Sequence, residues 1–220
     1  MNREEKNKIS KDKILQAALC EFGQKDYNSA SINNICINND ITKGLLFHYY
    51  KNKDEIFLLC VDDLFINLSK YLNEESKFEN VNQSKEVAST KGDNNSIDES
   101  FERFVRKRFD FFDNYPYYRQ IFFTCIFTPP KHLIYDIQNL RKPVVELNKK
   151  FWLQYLSSKK TKENVDLDEC VEIIIGLEEY IQTKLQREHV SVEDENAYIA
   201  DKYIKDFMKL VNMLLYGILI

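Results

Sequence analysis

The stretch from Thr42 to Phe57, TKGLLFHYYKNKDEIF, decides how this chain is read. Thr42 can cap a short helix, because its hydroxyl can accept a hydrogen bond from a free N–H of the first turn. Lys43, Gly44 and His48 stand at the exposed end of that helix, and aromatic residues follow on its buried side. Lys51 and Lys53 come next, then Asp54 and Glu55, whose negative charge suits the first turn of another helix. A short helix of this build is suited to lie against a phosphate-lined groove, with a second helix starting behind it.

Moving toward the N-terminus, Ile14, Leu15, Ala18, Leu19 and Phe22 share one face at helical spacing. Gly23 and Asp26-Tyr27-Asn28-Ser29 close that helix. Ser31 can cap a second helix with Ile32, Ile35 and Cys36 turned inward. Asn38-Asn39-Asp40 reads as a turn, since Asn and Asp tolerate left-handed backbone. Ile41 then points inward before Thr42. Two short helices joined by so tight a turn, behind a longer one, form a helix-turn-helix.

Moving toward the C-terminus, the pattern predicts a long amphipathic helix from Asp54 to about Tyr71. A polar stretch after Phe78, ENVNQSKEVASTKGDNNSIDES, reads as a mobile loop. Helical patterning resumes near Asp98 and ends at Tyr115-Pro116, because the residue before proline disfavours helix. Pro116 suits the first turn of a helix running to Phe127. Pro129-Pro130 breaks the chain before a helix from Lys131 to about Ser158, in which Pro143 predicts a kink or break. Two more follow, opened by Asp166 and by Glu193, the last reaching about Tyr216. The expected fold is all-α, with about nine helices and no strand. Residues 1–53 are expected to form an N-terminal three-helix domain that carries the helix-turn-helix, and residues 54–220 a second, helical domain.

Composition agrees. Five Gly and four Pro in 220 residues leave little turn punctuation, and 44% hydrophobic residues can supply a sizeable core. The net charge of -4 conceals a basic head up to residue 53 and an acidic body beyond it. That asymmetry suits a protein that touches phosphate with one end only. Its five cysteines are scattered without zinc or redox spacing and read as buried, reduced thiols. The charged N-terminus lacks a signal peptide's apolar region. The apolar tail from Leu210 is too short to cross a bilayer. A cytoplasmic protein is expected.

Residues 10–57 resemble the DNA-binding domain of TetR-type transcriptional regulators. The likeness rests on Phe22 followed by DYNSAS, and on TKGLLFHYYKNKDEI, which follows the family's recognition segment position by position. It implies a dimeric regulator of double-stranded DNA whose C-terminal domain answers a small molecule. Three departures stand out. Cys36, Asn39 and Asp40 replace the family's Ala-x-x-Ala-Gly, so Asn39 or Asp40 must supply the turn. Phe47 replaces a phosphate-binding Tyr, so one phosphate hydrogen bond is either missing or transferred to Tyr49. Tyr50 replaces an apolar Phe and can still pack.

In a helix-turn-helix, residues near the start of the recognition helix meet base edges. Those are Thr42, Lys43, Leu45 and His48: Lys43 can donate to guanine, and Leu45 can touch a thymine methyl. Gly44 lets the backbone come close. Ser31 and Lys53 can contact phosphate, with Lys51 adding charge. Plainer roles stand beside these: Thr42 and Ser31 as caps, His48 as a surface or packing residue, and the lysines as solvated charges.

In the body, Phe104, Arg108, Tyr118, Phe122, Tyr155 and Glu178 are the ligand-binding candidates, because pockets between helices are aromatic with few polar groups. Arg108 and Glu178 enter because a charge on an apolar helix face needs a partner or a ligand. Core packing is the alternative for each. The last two long helices carry apolar faces suited to a two-fold homodimer. No metal, cofactor or catalytic constellation is expected: His48, His132 and His189 are isolated, and no phosphate-cradling glycine loop is present. The alternative function is a helical small-molecule or lipid carrier without DNA-binding activity.

Overall fold

The computed structural model describes residues 2–82, 99–187 and 196–218. Among them are nine α-helices and no strand: α1 (Arg3–Gln24), α2 (Ile32–Ile37), α3 (Lys43–Tyr49), α4 (Lys53–Asn82), α5 (Glu99–Asn114), α6 (Pro116–Phe127), α7 (Ile134–Ser157), α8 (Leu167–Arg187) and α9 (Asn196–Ile218). A short 3-10 turn, Lys131–Leu133, precedes α7. No helix among the described residues is long and apolar enough to cross a membrane.

α4 and α7 depart from the sequence expectation, and α1 is longer than its apolar row. α1 starts at Arg3, because Asn2 and Glu5 form a reciprocal capping box ahead of the apolar row. It ends at Gln24, one residue past Gly23. α4 continues to Asn82, since Leu72 to Phe78 are mostly helix-forming residues with no breaker among them. α7 passes Pro143 without ending; proline removes one hydrogen bond, and Val144 and Trp152 beyond it are buried. Most of the expected loop (residues 83–98) and the expected start of the last helix at Glu193 lie outside the described residues.

By packing, the chain divides into two compact units. The first comprises residues 1–67 with 112–141, and the second comprises 68–111 with 142–220. In the first unit Phe22 meets Phe57 edge-on at 5.1 Å, and Tyr27 meets Phe57 at 5.0 Å. Ile14, Ala18, Ile35, Ile41, Leu46 and Ile56 are buried around them. α6 lies hard against α1: a methyl added to Gly23 would come within 2.7 Å of the Tyr117 carbonyl oxygen. In the second unit Trp152 is fully buried and meets Phe207 at 6.0 Å, and α8 packs on α9. Cys36, Cys60, Cys125 and Cys170 are buried free thiols, while Cys20 is exposed.

Candidate nucleic-acid interface

α2 and α3 are fixed by caps and one strained turn. The Ser31 hydroxyl accepts from Asn33 N at 3.2 Å, and the Thr42 hydroxyl accepts from Leu45 N at 3.1 Å. Between the helices Asp40 takes φ 49, the left-handed region, so it is Asp40 that supplies the turn. Ile41 beside it is buried. Lys13 Nζ donates to the Asp40 carbonyl at 3.1 Å, which holds the turn against α1.

Glu21 fastens this head from beneath. It is a buried charge on the apolar row of α1. Its Oε1 accepts from Lys25 Nζ at 2.9 Å, Ser31 N at 2.9 Å and Asn34 Nδ2 at 3.1 Å. Burial works to raise its carboxyl, but these hydrogen bonds and the Lys25 charge prevail and hold it below the ordinary value. The sequence reading missed Glu21. The available signal was a lone carboxylate three residues after Ala18 and one before Phe22.

On the outer side Thr42, Lys43, Gly44, Phe47 and His48 are exposed, and Leu45 is half-buried. A methyl at Gly44 would meet nothing within 4 Å, so the fold itself does not require a glycine there. Phe47 is 48% exposed, a large apolar ring facing outward. Tyr49 donates its hydroxyl to Asn7 Oδ1 at 2.9 Å, so that hydrogen is engaged with α1. Lys53 also turns toward the protein: its ammonium lies 4.6 Å from the Tyr27 ring centre and donates to the Asn28 carbonyl at 3.2 Å. Burial lowers its pKa. Lys51 stays out, 3.8 Å from Glu55.

The start of α4 is tied down just behind. Asn52 Oδ1 accepts from Glu55 N at 2.9 Å, while Glu55 Oε2 accepts from Lys51 N at 2.8 Å. Asp54 accepts from the Tyr27 hydroxyl and faces His132 Nε2 at 3.2 Å. The Tyr27 bond, more than any other influence, lowers the Asp54 carboxyl, whereas burial and then Asp54 push Tyr27 up to about 12. His132, read as isolated in sequence, is thus a partner of the fourth helix.

The ligand candidates fall in both units. In the first, Tyr118 is buried, donates to Asp63 Oδ2 at 2.5 Å and accepts from Asn67 Nδ2 at 2.9 Å. Phe122 lies 4.8 Å from Phe112 and 6.3 Å from Phe65. In the second, Arg108 stacks over Phe104 at 4.4 Å and donates to Asn148 Oδ1, whose Nδ2 donates to the buried Glu178 at 3.0 Å. Phe104 stacks on Phe151 at 3.8 Å, and Tyr155 lies 6.1 Å from Phe151. Asn148, absent from the expected set, is the link that places Arg108 and Glu178 on one polar chain.

Residues 14–60 match the model of the family described as bacterial regulatory proteins, tetR family. A curated relative, the biofilm operon icaADBC HTH-type negative transcriptional regulator IcaR of Staphylococcus epidermidis, is 34% identical over 55 residues. That match spans 25% of this chain and about 30% of the relative's length. The fold is similar to the transcriptional regulator FadR from Bacillus subtilis, solved in complex with stearoyl-CoA. The TM-score is 0.60 at 14% identity, covering 89% of this chain and 96% of that one. It is also similar to a TetR-like transcriptional regulator from Rhodococcus sp. RHA1, with a TM-score of 0.52 at 16% identity, covering 92% and 96%. The capped helices and the turn between them lie within the residues that match the tetR family model, and the all-helical fold is similar to those solved structures.

Proposed function

We propose that this protein is a sequence-specific DNA-binding repressor, a homodimer released from a palindromic operator by a small, largely apolar or aromatic effector. The observation that carries the reading is the outer face of α3. Thr42, Lys43, Gly44 and His48 are exposed there on a helix whose other side is anchored by buried Leu46. Gly44 has open space around it, which suits close approach by something outside the chain. Ser31, Leu45, Phe47, Tyr49 and Lys53 complete the proposed contact set. Phe47 would meet sugar or methyl groups, and Lys53 would have to leave Tyr27 to reach a phosphate. Repression is favoured because blocking a promoter needs only occupancy, and the relative IcaR is named a negative regulator.

The test is selection of bound duplexes from a random pool, followed by titration. Lys43→Ala is expected to weaken binding to the selected palindrome by about 1–3 kcal/mol and to relax preference at one base position per half-site. Gly44→Ala should also weaken binding, while leaving the fold intact or about 0.5 kcal/mol more stable. A pool that enriches no palindrome would refute the reading.

Dimerisation through α8 and α9 is supported by their outward apolar residues. Ile173 and Tyr180, one heptad apart on α8, are 45% and 57% exposed, and Met213 and Tyr216 on α9 are 65% and 61% exposed. Such residues cost solubility unless covered. Ile173→Asp with Tyr180→Asp should raise the dimer dissociation constant at least tenfold, about 1.4 kcal/mol, read by light scattering against concentration. A wild type that runs as a monomer at micromolar concentration would contradict this part.

For the effector, Phe104, Arg108, Tyr155 and Glu178 in the second unit are one proposed set of contacts, and Tyr118 and Phe122 in the first unit are a separate one. An effector changes operator affinity only by its differential binding to two states, and a coupling of about 1–3 kcal/mol would change it about 5–150-fold. The solved FadR complex with stearoyl-CoA is an instance of a similar fold holding a largely apolar molecule.

A further inference from the structure

α1 runs well ahead of its first buried residue, Ile14. Positions 3, 7 and 10 continue the row of Ile14, Ala17 and Glu21 at alternating steps of four and three, so they lie on the same side of the helix. Inside the head that row is mostly apolar. Ahead of Ile14 it becomes Arg3, Asn7 and Ser10, flanked by Lys6 and Lys11. Glu4, Glu5 and Asp12 fall off the row, and Glu5 is held at the Asn2 cap. Arg3, Lys6 and Lys11 are exposed.

This segment is docked on the recognition helix. The Tyr49 hydroxyl donates to Asn7 Oδ1 at 2.9 Å, and Lys11 Nζ stands 5.8 Å from the Tyr49 ring centre. Tyr49 is the last residue of α3. The segment that carries Arg3, Lys6 and Lys11 therefore meets α3 at its C-terminal end. Arg3, Lys6 and Lys11 all precede the family match, which starts at residue 14.

We propose that Arg3, Lys6 and Lys11 form a second phosphate-binding element, which grips the sugar–phosphate backbone of duplex DNA flanking the bases that α3 reads; this rests on the DNA-binding reading above. The chemistry accounts for two oddities at once. Phe47 has no hydroxyl for a phosphate, and the Tyr49 hydroxyl hydrogen is already engaged with Asn7. Lys11 beside Tyr49, with Arg3 and Lys6 further along the same helix, supplies charge in place of those donors, and the Asn7 bond holds α1 against α3. A duplex long enough to pass α3 would meet both surfaces.

The experiment uses the full chain and a palindrome selected by the wild type, as two duplexes. One ends at the outermost selected base pair; the other carries roughly ten further base pairs on each side, one helical turn. The variant is R3Q/K6Q/K11Q, with Lys8→Gln as a single-charge control off the row, and circular dichroism verifies folding. On the long duplex the triple variant should show a salt dependence shallower by about 1 logarithmic unit for each phosphate no longer neutralised. On the short duplex it should bind nearly as the wild type does, with sequence preference unchanged. Lys8→Gln should match the wild type on both. An unchanged slope and affinity for the triple variant on the long duplex, or an equal loss per charge in Lys8→Gln, would overturn the second element alone. A wild type that binds no duplex would sink the DNA-binding reading along with it.

Discussion

Glu21→Ala is expected to destabilise the protein by about 3 kcal/mol, because it removes one carboxylate that three donors share. Lys25 is 36% exposed and can turn to water. Ser31 N and Asn34 cannot do so as easily, since both belong to the start of α2 beneath which Glu21 is buried. For a chain of this size the loss corresponds to a fall in melting temperature of about 6–12 °C. Glu21→Gln separates charge from shape: it can still accept from Ser31 N but loses the ionic attraction to Lys25. The carboxyl's folded pKa lies below its ordinary value. Its stabilisation is therefore present at neutral pH and disappears as pH falls through the ordinary carboxylate range toward the lowered value. The difference between wild type and Glu21→Gln should shrink over that window, and a constant difference down to about pH 3, well into the carboxylate range, would show that the charge contributes nothing.

Gly23→Ala should cost about 2 kcal/mol net, in a helical position where the same change ordinarily gains about 1. The added methyl would lie 2.7 Å from the Tyr117 carbonyl oxygen, 2.8 Å from its Cβ and 2.9 Å from its Cα. Two of those atoms are backbone, so no rotamer change relieves the clash and α6 must move off α1. Overpacking of this kind costs about 3 kcal/mol at the upper end of its usual range, which outweighs the propensity gain. Urea denaturation would read the effect as a lower midpoint with an unchanged slope. A stabilised variant would mean that α1 and α6 do not touch.

Much of the head was legible because its determinants are local. Ser31 and Thr42 are capping residues at their own helix starts, and the Asn38-Asn39-Asp40 turn needs only a residue that tolerates left-handed backbone. What escaped was long-range. Gly23 reads as a helix stop until Tyr117 is known to lie against it. Asp54 reads as a charge complementing the helix dipole, yet its partners Tyr27 and His132 come from distant segments. In the body, Arg108 and Glu178 announced themselves as charges on apolar faces. Asn148 did not, since it precedes Lys149 and Lys150 and resembles one more solvent-facing residue. Periodicity marks which side of a helix is inside; it does not say which neighbour arrives there.

The chain's first compact unit is discontinuous, joining residues 1–67 to 112–141, and this bears on modularity. The reading head cannot be lifted out as a continuous cassette. A fragment ending at residue 67 would leave Gly23 facing solvent where Tyr117 had been, Asp54 without His132 and Asp63 without Tyr118. Chimeras that graft this head onto another regulator's body must carry α6 and the 3-10 turn with it. A single crossover after α3 or early in α4 would separate Gly23 from Tyr117 and Asp54 from His132. Heads and bodies can be exchanged here only if residues 112–141 travel with the head, which takes a crossover on either side of them.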